Sequence, residues 1–584
     1  MRPMVDPSKG DIEDDASSTK QRSLFSLAGT LLAEISFSKL AVAWILLVGL
    51  PGLLIGAAPL LASIWIASVL SKASALLSGL WPALLLLALV VIGWFGGRPL
   101  LRLAESSFWS LNALAVQPGY VLCREGFRHI AERLLPSDMT DDQRAITRAA
   151  SAAVSGLAIC GLALWLVALA WPSSRWVGNL SDLRSPYRLV VPALFNSAVL
   201  VASYLAVAAL IWGSADATMA QPRDRKFFPP SPVADRIWRV VHLSDIHVVG
   251  ERYGFRIESG RSGPRGNERF KQTLAQLNRI HAESPLDVIL ITGDVTDAGR
   301  SAEWAEFFDA LAPYRQLSEL LLFLPGNHDL NVVDRANPAR LDLPTSPKKR
   351  LRQIRTISAL EALQGSRVRL VDSRNGRLGA SLSEALKPHF EDIAAFADRG
   401  SFRLSRSLAE LWATSFPMVQ PPETENGLGI ILLNSNVEAH FSFTNALGLV
   451  STEQARAINI IAGLYPRAYW IVALHHHVVE YPKRAKALSE RIGTALINGS
   501  WFVRRLRRLA DRAVVMHGHR HVDWIGKYGG LSIVSAPSPV MEVTDEYETY
   551  FYIHTLAIAG DGRLSLMKPE RIGVAGQQVA EARQ

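Results

Sequence analysis

The first third of the chain alternates long uncharged stretches with short charged ones. Four stretches contain no Asp, Glu, Lys or Arg: Leu40 to Ser71, Ala73 to Gly97, Ala149 to Ser174 and Leu189 to Ala215. A helix needs about 20 apolar residues to cross roughly 30 Å of hydrocarbon, and each stretch is long enough. The pattern therefore predicts an all-α membrane region over residues 40–215, with about four transmembrane helices, after a polar tail at 1–39.

The number of passes has an alternative, because the first stretch is long and carries Pro51 and Pro59. It forms either one kinked span or a re-entrant pair, which would give five passes. With four passes, fifteen Lys and Arg residues flank the spans on one side and four on the other. Positive charges favour the cytoplasmic side, so we expect a multi-pass protein of a bacterial inner membrane with both termini in the cytoplasm.

The uncharged stretches favour an anchor over a transporter. Asn196 is the only strongly polar side chain within them, whereas transporters are expected to carry ionisable residues in their spans. The predicted cytoplasmic loop 98–148 has apolar and basic residues at helical spacing, around Phe127, Ile130 and Leu134. These indicate one or two amphipathic helices at the membrane surface.

The pattern changes after residue 215. Four prolines in the segment 216–236 indicate a linker. Beyond it, short apolar runs predict strands at Arg239 to Leu243, Val288 to Thr292, Leu320 to Leu324, Gly429 to Leu433, Ala468 to Leu474, Ala513 to Met516, Leu531 to Val534 and Tyr550 to Ile558. Amphipathic helices lie between them, so we expect an α/β domain over 237–571, with an insertion at 334–421 and a tail at 572–584.

The composition limits which partners and which metal ligands the protein can have. The chain has 584 residues, 49% of them hydrophobic, and a formal charge of +9 that is shared between the two regions. Because neither region is a basic arm, a nucleic-acid partner is disfavoured. Only two cysteines are present, which excludes a disulfide framework and a cysteine-based zinc site. Any metal must be held by His, Asp, Glu or Asn.

Polar residues cluster where five of the predicted strands end. The clusters are Ser244-Asp245-Ile246-His247, Gly293-Asp294-Val295-Thr296-Asp297, Gly326-Asn327-His328-Asp329, His475-His476-His477 and Gly518-His519-Arg520-His521. Each cluster alone is weak evidence for a metal site. Side chains on short loops after strands can, however, converge at one edge of a sheet. Their oxygen and imidazole donors suit Mn, Fe, Zn, Co or Ni. Two such ions about 3.5–4 Å apart promote phosphoester hydrolysis.

These five clusters resemble, in kind and order, the motifs of the calcineurin-like metallophosphoesterases. The resemblance covers residues 237–571 and implies a four-layer αββα sandwich with two divalent or mixed-valence ions, Mn, Fe or Zn above all. It implies that Asp245, His247 and His521 hold one ion, that Asn327, His475 and His519 hold the other, and that Asp294 bridges them. A metal-bridging hydroxide would attack phosphorus in line.

The resemblance also assigns the residues around the ions. His328 would contact the phosphate and assist the leaving group, Asp329 would orient the His328 ring, and Asp297 would help to hold its loop. The fourth cluster departs from the usual pattern, because His477 stands where the family usually has proline. His475 directly follows the strand and is assigned as the ligand, but His476 is an alternative. His517 is expected to pack at a strand end.

The quoted motifs are most similar to the branch that contains bacterial cyclic-nucleotide (class III) phosphodiesterases. This likeness makes a phosphodiesterase the favoured enzyme, with a cyclic nucleotide or a nucleotide-lipid as substrate, and leaves the oligomeric state open. A non-catalytic membrane sensor or scaffold that binds a phosphorylated ligand is the alternative. Two basic runs, at 348–355 and 504–512, would face acidic groups or form solvated helix faces.

Overall fold

The computed structural model describes residues 49–76, 117–135, 139–179, 187–229, 236–250, 266–332, 347–399, 402–437, 446–482, 496–540 and 549–574, and isolated residues at 41, 45, 84, 87 and 182. The described residues divide between Met219 and Ala220 into two compact units. The expected tail at 1–39 lies outside these ranges, as do residues 575–584 of the expected tail 572–584, whereas residues 572–574 belong to a strand.

The N-terminal unit is helical. Its long helices are α1 (Leu50–Leu76), α2 (Gln117–Leu134), α3 (Asp141–Ala170) and α4 (Tyr187–Ala217), with a short 3₁₀ turn at Trp171–Ser173. Among the described residues, three segments are long and apolar enough to cross a membrane: Leu50–Lys72, Asp142–Ser173 and Tyr187–Ala217. They correspond to the first, third and fourth uncharged stretches. The second stretch, Ala73 to Gly97, lies largely outside the described residues.

Asn196 joins three parts of this unit. Its Nδ2 donates hydrogen bonds to the carbonyl oxygens of Gly56 (3.2 Å) and Arg175 (2.7 Å), and its Oδ1 accepts from the Arg175 amide at 2.9 Å. The side chain is fully buried. A polar group satisfied in this way between helices is stabilising, so Asn196 has a packing role in the helical unit.

The amphipathic helix expected around Phe127 is α2, but its basic residues do not form a free basic face. Arg128 is buried and bonds to Glu125 and Glu132 at 3.4 and 2.9 Å. Arg124 and Tyr120 both donate to Asp216 near the end of α4. These ion pairs fasten α2 within the helical unit, while Ile130 and Leu134 remain exposed.

The C-terminal unit mixes helices with strands. Its helices are α5 (Gly266–Glu283), α6 (Ser301–Leu311), α7 (Arg315–Leu320), α8 (Asn327–Leu330), α9 (Pro347–Gln364), α10 (Leu382–Leu386), α11 (Phe390–Arg399), α12 (Phe402–Thr414), α13 (Thr452–Leu464) and α14 (Gly499–Leu506). The strands are β1 (Arg223–Asp224), β2 (Ile237–Leu243), β3 (Val288–Ile291), β4 (Leu321–Phe323), β5 (Arg369–Asp372), β6 (Arg377–Ser381), β7 (Met418–Gln420), β8 (Leu428–Leu432), β9 (Tyr469–Ala473), β10 (Ala513–His517), β11 (Trp524–Tyr528), β12 (Leu531–Ser535), β13 (Thr549–Ile558), β14 (Leu564–Leu566) and β15 (Glu570–Val574).

These strands form two mixed sheets. The larger has the order β1-β11-β12-β10-β9-β8-β7-β5-β6, and the smaller has β14-β13-β2-β3-β4 with β15 also paired to β13. Strands β8, β9, β10 and β12 are parallel neighbours, as are β2, β3 and β4. Their apolar residues contribute to a single buried core. Each sheet thus has a carboxyl edge to which several parallel strands lead.

All eight predicted strands are present. The sequence pattern missed β1, β5, β6, β7, β11, β14 and β15, which are short and pair antiparallel with a neighbour. The expected linker 216–236 also differs from the structure, because β1 lies within it and pairs with β11. Trp524 reinforces this pairing by donating its Nε1–H to Asp224 at 2.8 Å.

Candidate metal centre

The candidate ligands lie on loops that directly follow parallel strands of both sheets. The loops after β2 and β3 continue the strand pairing, since the amides of Asp245 and His247 donate to the carbonyl oxygens of Gly293 and Asp294 at 3.0 Å. The loops after β9 and β10 are joined in the same way by Gly518 and His475. Because the backbone pairing extends beyond the strands, each loop is held in place at the residues that carry the candidate ligands.

The ligand loops share an uncommon backbone conformation. Among the described residues, six non-glycine residues have a positive φ, and five of them are candidate ligands: Asp245 (56°), His247 (49°), Asp294 (50°), His519 (74°) and His521 (50°). This conformation costs about 1–2 kcal/mol per residue and persists only where the surrounding structure enforces it. Such residues are concentrated at functional sites, and here they turn successive polar side chains toward one point.

The first group of candidate ligands is Asp245, His247 and His521. One donor atom from each lies within 4.8 Å of the others. His521 Nε2 is 3.0 Å from Asp245 Oδ1, and His247 Nε2 is 3.9 Å from the same oxygen. Burial alone would raise the pKa of the Asp245 carboxyl, but the nearby His521 ring lowers that pKa below its ordinary value. The carboxylate is therefore ionised and available to a cation.

The second group is Asp294, His475 and His519, with Asn327 beside them. His475 Nε2 lies 3.0 Å from His519 Nδ1, 3.1 Å from Asn327 Oδ1 and 3.3 Å from Asp294 Oδ2. The other nitrogen of His475 donates to the Thr292 carbonyl oxygen at 2.8 Å, which directs Nε2 at these atoms. If His475 is neutral, its unprotonated Nε2 faces the acceptor oxygens of Asn327 and Asp294 and is repelled by them. A cation bound between these atoms would relieve the repulsion. The donor set fits a divalent metal.

The charge on this second group follows from its contacts. Burial opposes protonation of His475, but the neighbouring Asp294 carboxylate raises its pKa to about 9. Burial likewise raises the pKa of Asp294, but His475 and His328 bring that pKa well below its usual range. In the metal-free protein a proton on His475 therefore balances the Asp294 carboxylate.

Asp294 lies between the two groups. Its Oδ2 is 3.7 Å from His247 Nε2 in the first group and 3.3 Å from His475 Nε2 in the second. Its Oδ1 accepts a hydrogen bond from the His328 amide at 2.8 Å, which fixes the carboxylate plane. One oxygen atom is thus placed to face both groups at once.

The close packing of this carboxylate requires a glycine at position 326. A Cβ atom on Gly326 would lie 2.1 Å from both the backbone nitrogen and Oδ1 of Asp294. Neither loop can give way without moving a candidate ligand, because Asn327 follows Gly326 directly. The glycine therefore sets the distance between the loops after β3 and β4.

Replacing Gly326 with alanine is expected to lower the free energy of unfolding by about 1–3 kcal/mol through overpacking and to weaken Mn²⁺ binding. Gly463→Ala provides the matched control, because a Cβ there meets nothing within 4 Å on helix α13. That control should leave stability equal or slightly higher. Thermal denaturation and Mn²⁺ titration would measure both effects, and equal behaviour of the two variants would contradict the role of Gly326.

Asp297 contacts the rings of two histidines in the site. His328 Nδ1 donates to the Asp297 carbonyl oxygen at 2.7 Å, and the Asp297 carboxylate bonds to His247 Nδ1 at 3.0 Å. In the described part of the chain, Asp329 makes no hydrogen bond to the His328 ring. The ring turns toward the loop after β3, where Asp297 rather than the expected Asp329 is its hydrogen-bond partner.

Asp329 instead ties two loops together. Its carboxylate accepts hydrogen bonds from the amides of Val295 (3.3 Å), Thr296 (2.8 Å) and Gly326 (2.8 Å) and from the Thr296 hydroxyl (2.6 Å). Burial and the charge of Asp294 raise the pKa of Asp329 to about 6. The group is ionised at neutral pH, where it can accept all four hydrogen bonds.

The three consecutive histidines point to different partners. His475 faces the second group, whereas His476 Nδ1 bonds to the Ser435 hydroxyl at 2.9 Å and His477 bonds to Glu480 at 2.9 Å. His517, at the end of β10, is fully buried and stacks with Tyr481, as expected for a packed residue. The geometry thus favours His475 over His476 as the ligand.

Ser435 is a supporting residue that the sequence analysis missed. Its hydroxyl accepts the amides of both His475 and His476 at 3.2 Å, besides its contact with the His476 ring. This serine after β8 belongs to none of the five motifs. The polar triplet Asn434-Ser435-Asn436, directly after a predicted strand, was the available signal.

Comparison with known proteins agrees with this geometry. Residues 239–414 match the family described as calcineurin-like phosphoesterase. No curated protein matches the chain at a significant level. Residues 239–414 therefore form a calcineurin-like metallophosphoesterase domain.

Several solved structures are similar to the chain at low identity. A protein described as a 5′-nucleotidase from Staphylococcus aureus, in complex with alpha-ketoglutarate, is 12% identical over 59% of this chain and 55% of its own, with a TM-score of 0.30. A hypothetical protein from Pyrococcus horikoshii is 11% identical over 59% and 91% (TM-score 0.25), and purple acid phosphatase PPD1 from yellow lupin seeds is 14% identical over 56% and 50% (TM-score 0.23). The chain spans about half the length of the first and third of these proteins.

Proposed function

We propose that the protein is a membrane-anchored phosphodiesterase with a binuclear metal centre. The observation that carries the proposal is the position of Asp294 Oδ2, which faces His247 of one donor group and His475 of the other. Asp245, His247 and His521 would hold one ion, and Asn327, His475 and His519 the second. Asp294 would be shared by both, on a four-layer αββα sandwich.

The bound ions would supply charge neutralisation for the phosphate and a hydroxide nucleophile near neutral pH. The chain itself orients its ligands through hydrogen bonds. The Asp297 carboxylate accepts from His247 Nδ1 and the Thr292 carbonyl oxygen accepts from His475 Nδ1, so the Nε2 atom of each ring is presented to an ion.

His328 would act on the leaving group. Its side chain is about one-fifth exposed, whereas the neighbouring candidate ligands His247 and His475 are buried. Because its Nδ1 is engaged by the Asp297 carbonyl oxygen, Nε2 is the atom that can reach a substrate. A proton held there would pass to the departing alkoxide, a contribution worth about 10²–10⁴-fold in rate for a positioned acid.

Three apolar helices support the membrane anchor, since each is at least 23 residues long. The charge distribution around them supports a cytoplasmic position for the hydrolase domain, in a bacterial inner membrane. The substrate would be a diester, with a cyclic nucleotide or a nucleotide-lipid as the two candidates from the sequence likeness.

Turnover of bis(p-nitrophenyl) phosphate by the purified full chain with Mn²⁺ tests the function. We expect hydrolysis of this diester to exceed that of p-nitrophenyl phosphate. His475→Asn should abolish turnover, because it removes a donor atom from the second group. His476→Asn should retain most of it, because an amide can still bond to Ser435. Absence of turnover with any divalent metal, or equal losses in both variants, would refute the proposal.

A further inference from the structure

Two arginines of helix α9 lie against the loops that carry Asp297 and His328. Arg352 Nε donates to the Leu330 carbonyl oxygen at 2.9 Å, and Arg355 Nη1 lies 3.4 Å from the Gly299 carbonyl oxygen. Gly299 is two residues after Asp297, and Leu330 is two residues after His328. Both arginine side chains are buried, with 1% and 4% of their surface exposed.

The two loops and the helix are packed without space between them. A Cβ on Gly299 would lie 2.3 Å from the Asp329 carbonyl oxygen and 3.1 Å from Arg352 Cδ. The Thr296 hydroxyl accepts the Gly299 amide and donates to Asp329, which joins the same two loops from within. Arg352 therefore lies where the loop after β3 meets the loop after β4.

Helix α9 belongs to the segment 334–421, which separates the third motif from the strand before the fourth. A guanidinium has five donors in a rigid fork, so one arginine can satisfy backbone carbonyl groups that would otherwise be buried without a hydrogen bond. An apolar side chain of the same length would fill the space but leave the Leu330 carbonyl oxygen without this donor. The arginine thus links the inserted segment to the catalytic loops.

We propose that Arg352, assisted by Arg355, is a positioning residue that fixes the His328 ring for proton transfer to the leaving group. The inference rests on the proposed function and deepens it. The His328 ring is held through Nδ1, which donates to the Asp297 carbonyl oxygen at 2.7 Å and lies 3.6 Å from the Asp297 carboxylate, so its direction depends on the distance between the two loops. Gly326 and Asp329 hold the two loops together from within, and the helix α9 arginines contact both loops from outside the site.

The test compares two methyl aryl phosphates with full-length protein and Mn²⁺. p-Nitrophenolate departs readily without a proton, whereas phenolate departs slowly and benefits from one. Arg352→Met should lower kcat for methyl phenyl phosphate by at least about 10-fold more than for methyl p-nitrophenyl phosphate. A purely structural loss would lower both by the same factor. Arg352→Lys should recover part of the difference, because an ammonium still donates to Leu330.

Arg367→Met is the matched control. Arg367 follows helix α9 and donates to the carbonyl oxygens of Leu321, the first residue of β4, and Leu363. It therefore holds the opposite end of the strand that leads to His328. This variant should keep the wild-type ratio of the two kcat values, even if it lowers the melting temperature.

A second readout needs no activity. In metal-free protein, modification of His328 by diethyl pyrocarbonate can be followed by peptide mass spectrometry, with His281 at the end of α5 as an internal reference. The rate at His328 should rise in Arg352→Met and stay unchanged in Arg367→Met. An unchanged kcat ratio with unchanged labelling would overturn the inference. If the wild-type chain hydrolyses neither ester, the proposed function fails, and the labelling still decides whether Arg352 positions the ring.

Discussion

Replacing Asp294 with asparagine is expected to reduce turnover by about 10³-fold or more, the scale seen when one member of a catalytic unit is removed. The change keeps the shape of the side chain and an oxygen that can accept the His328 amide. It removes the negative charge and replaces the oxygen facing both donor groups with an NH₂, which has no lone pair for a cation. Metal analysis should show a fall from two bound Mn²⁺ ions per chain to one or none.

The metal-free protein provides an independent check on the same contact. His475 has a folded-state pKa of about 9 against an ordinary value of 6.5, because Asp294 outweighs burial. The folded chain therefore binds this proton more tightly than the unfolded chain. Its contribution to stability is complete below about pH 6.5 and is lost as the pH rises through 9.

Thermal denaturation in the presence of a chelator would show this loss as a melting temperature that falls between these pH values. Asp294→Asn should flatten that part of the profile, because the charge that raises the His475 pKa is gone. His389, in the 3₁₀ turn Lys387–His389, belongs to neither donor group and offers a control: His389→Asn should keep the wild-type slope. A variant at Asp294 that still binds two Mn²⁺ ions would show that the carboxylate does not bridge.

Strand ends made most of the site predictable. Apolar runs such as Val288 to Thr292 marked buried strands, and the polar residues after them had to lie at a carboxyl edge. That reasoning brought Asp245, Asp294 and His519 to one place without knowledge of the pairing between strands. The same reasoning did not predict that two sheets contribute to the site, although the candidate ligands come from both of them.

The predictions failed where direction depended on backbone conformation. Asp329 follows His328 directly, so a hydrogen bond between them was a reasonable expectation. The helical turn of α8 instead directs the two side chains to different residues of the loop after β3, Asp329 to Thr296 and His328 to Asp297. No property of the sequence motif encodes that turn, and the same limit applies to Ser435, whose role depends on the distance between β8 and β9.

The short antiparallel strands were missed for a different reason. β6 reads Arg-Leu-Gly-Ala-Ser and β1 is only two residues long, so neither has the apolar run that identifies a buried strand. Edge strands are half solvated, and their pairing depends on a neighbour that is distant in sequence. In β1 that neighbour is β11, roughly three hundred residues away along the chain by the Arg223–Lys527 pairing.

Asp297→Asn and Asp329→Asn are expected to separate catalysis from stability at neighbouring positions in the site. Asp297 bonds to His247 through its carboxylate and to His328 through its carbonyl oxygen. An asparagine there keeps the fold but lowers the basicity of His247 as a ligand and weakens its orientation. Loss of such a partner typically costs about 10–100-fold in metal affinity or activity. The melting temperature should change little.

Asp329→Asn should show the opposite pattern, because its carboxylate is ionised at neutral pH and accepts four hydrogen bonds. An amide turns one oxygen into a donor that faces other donors, so at least one amide of the loops loses its partner. Hydrogen bonds to a charged group contribute about 1.5–3 kcal/mol each, and the free energy of unfolding should fall by at least that amount. Denaturant unfolding with kcat measured well below the midpoint would distinguish the two variants. A stable but inactive Asp329→Asn would contradict this structural role and favour a direct role of Asp329 in catalysis.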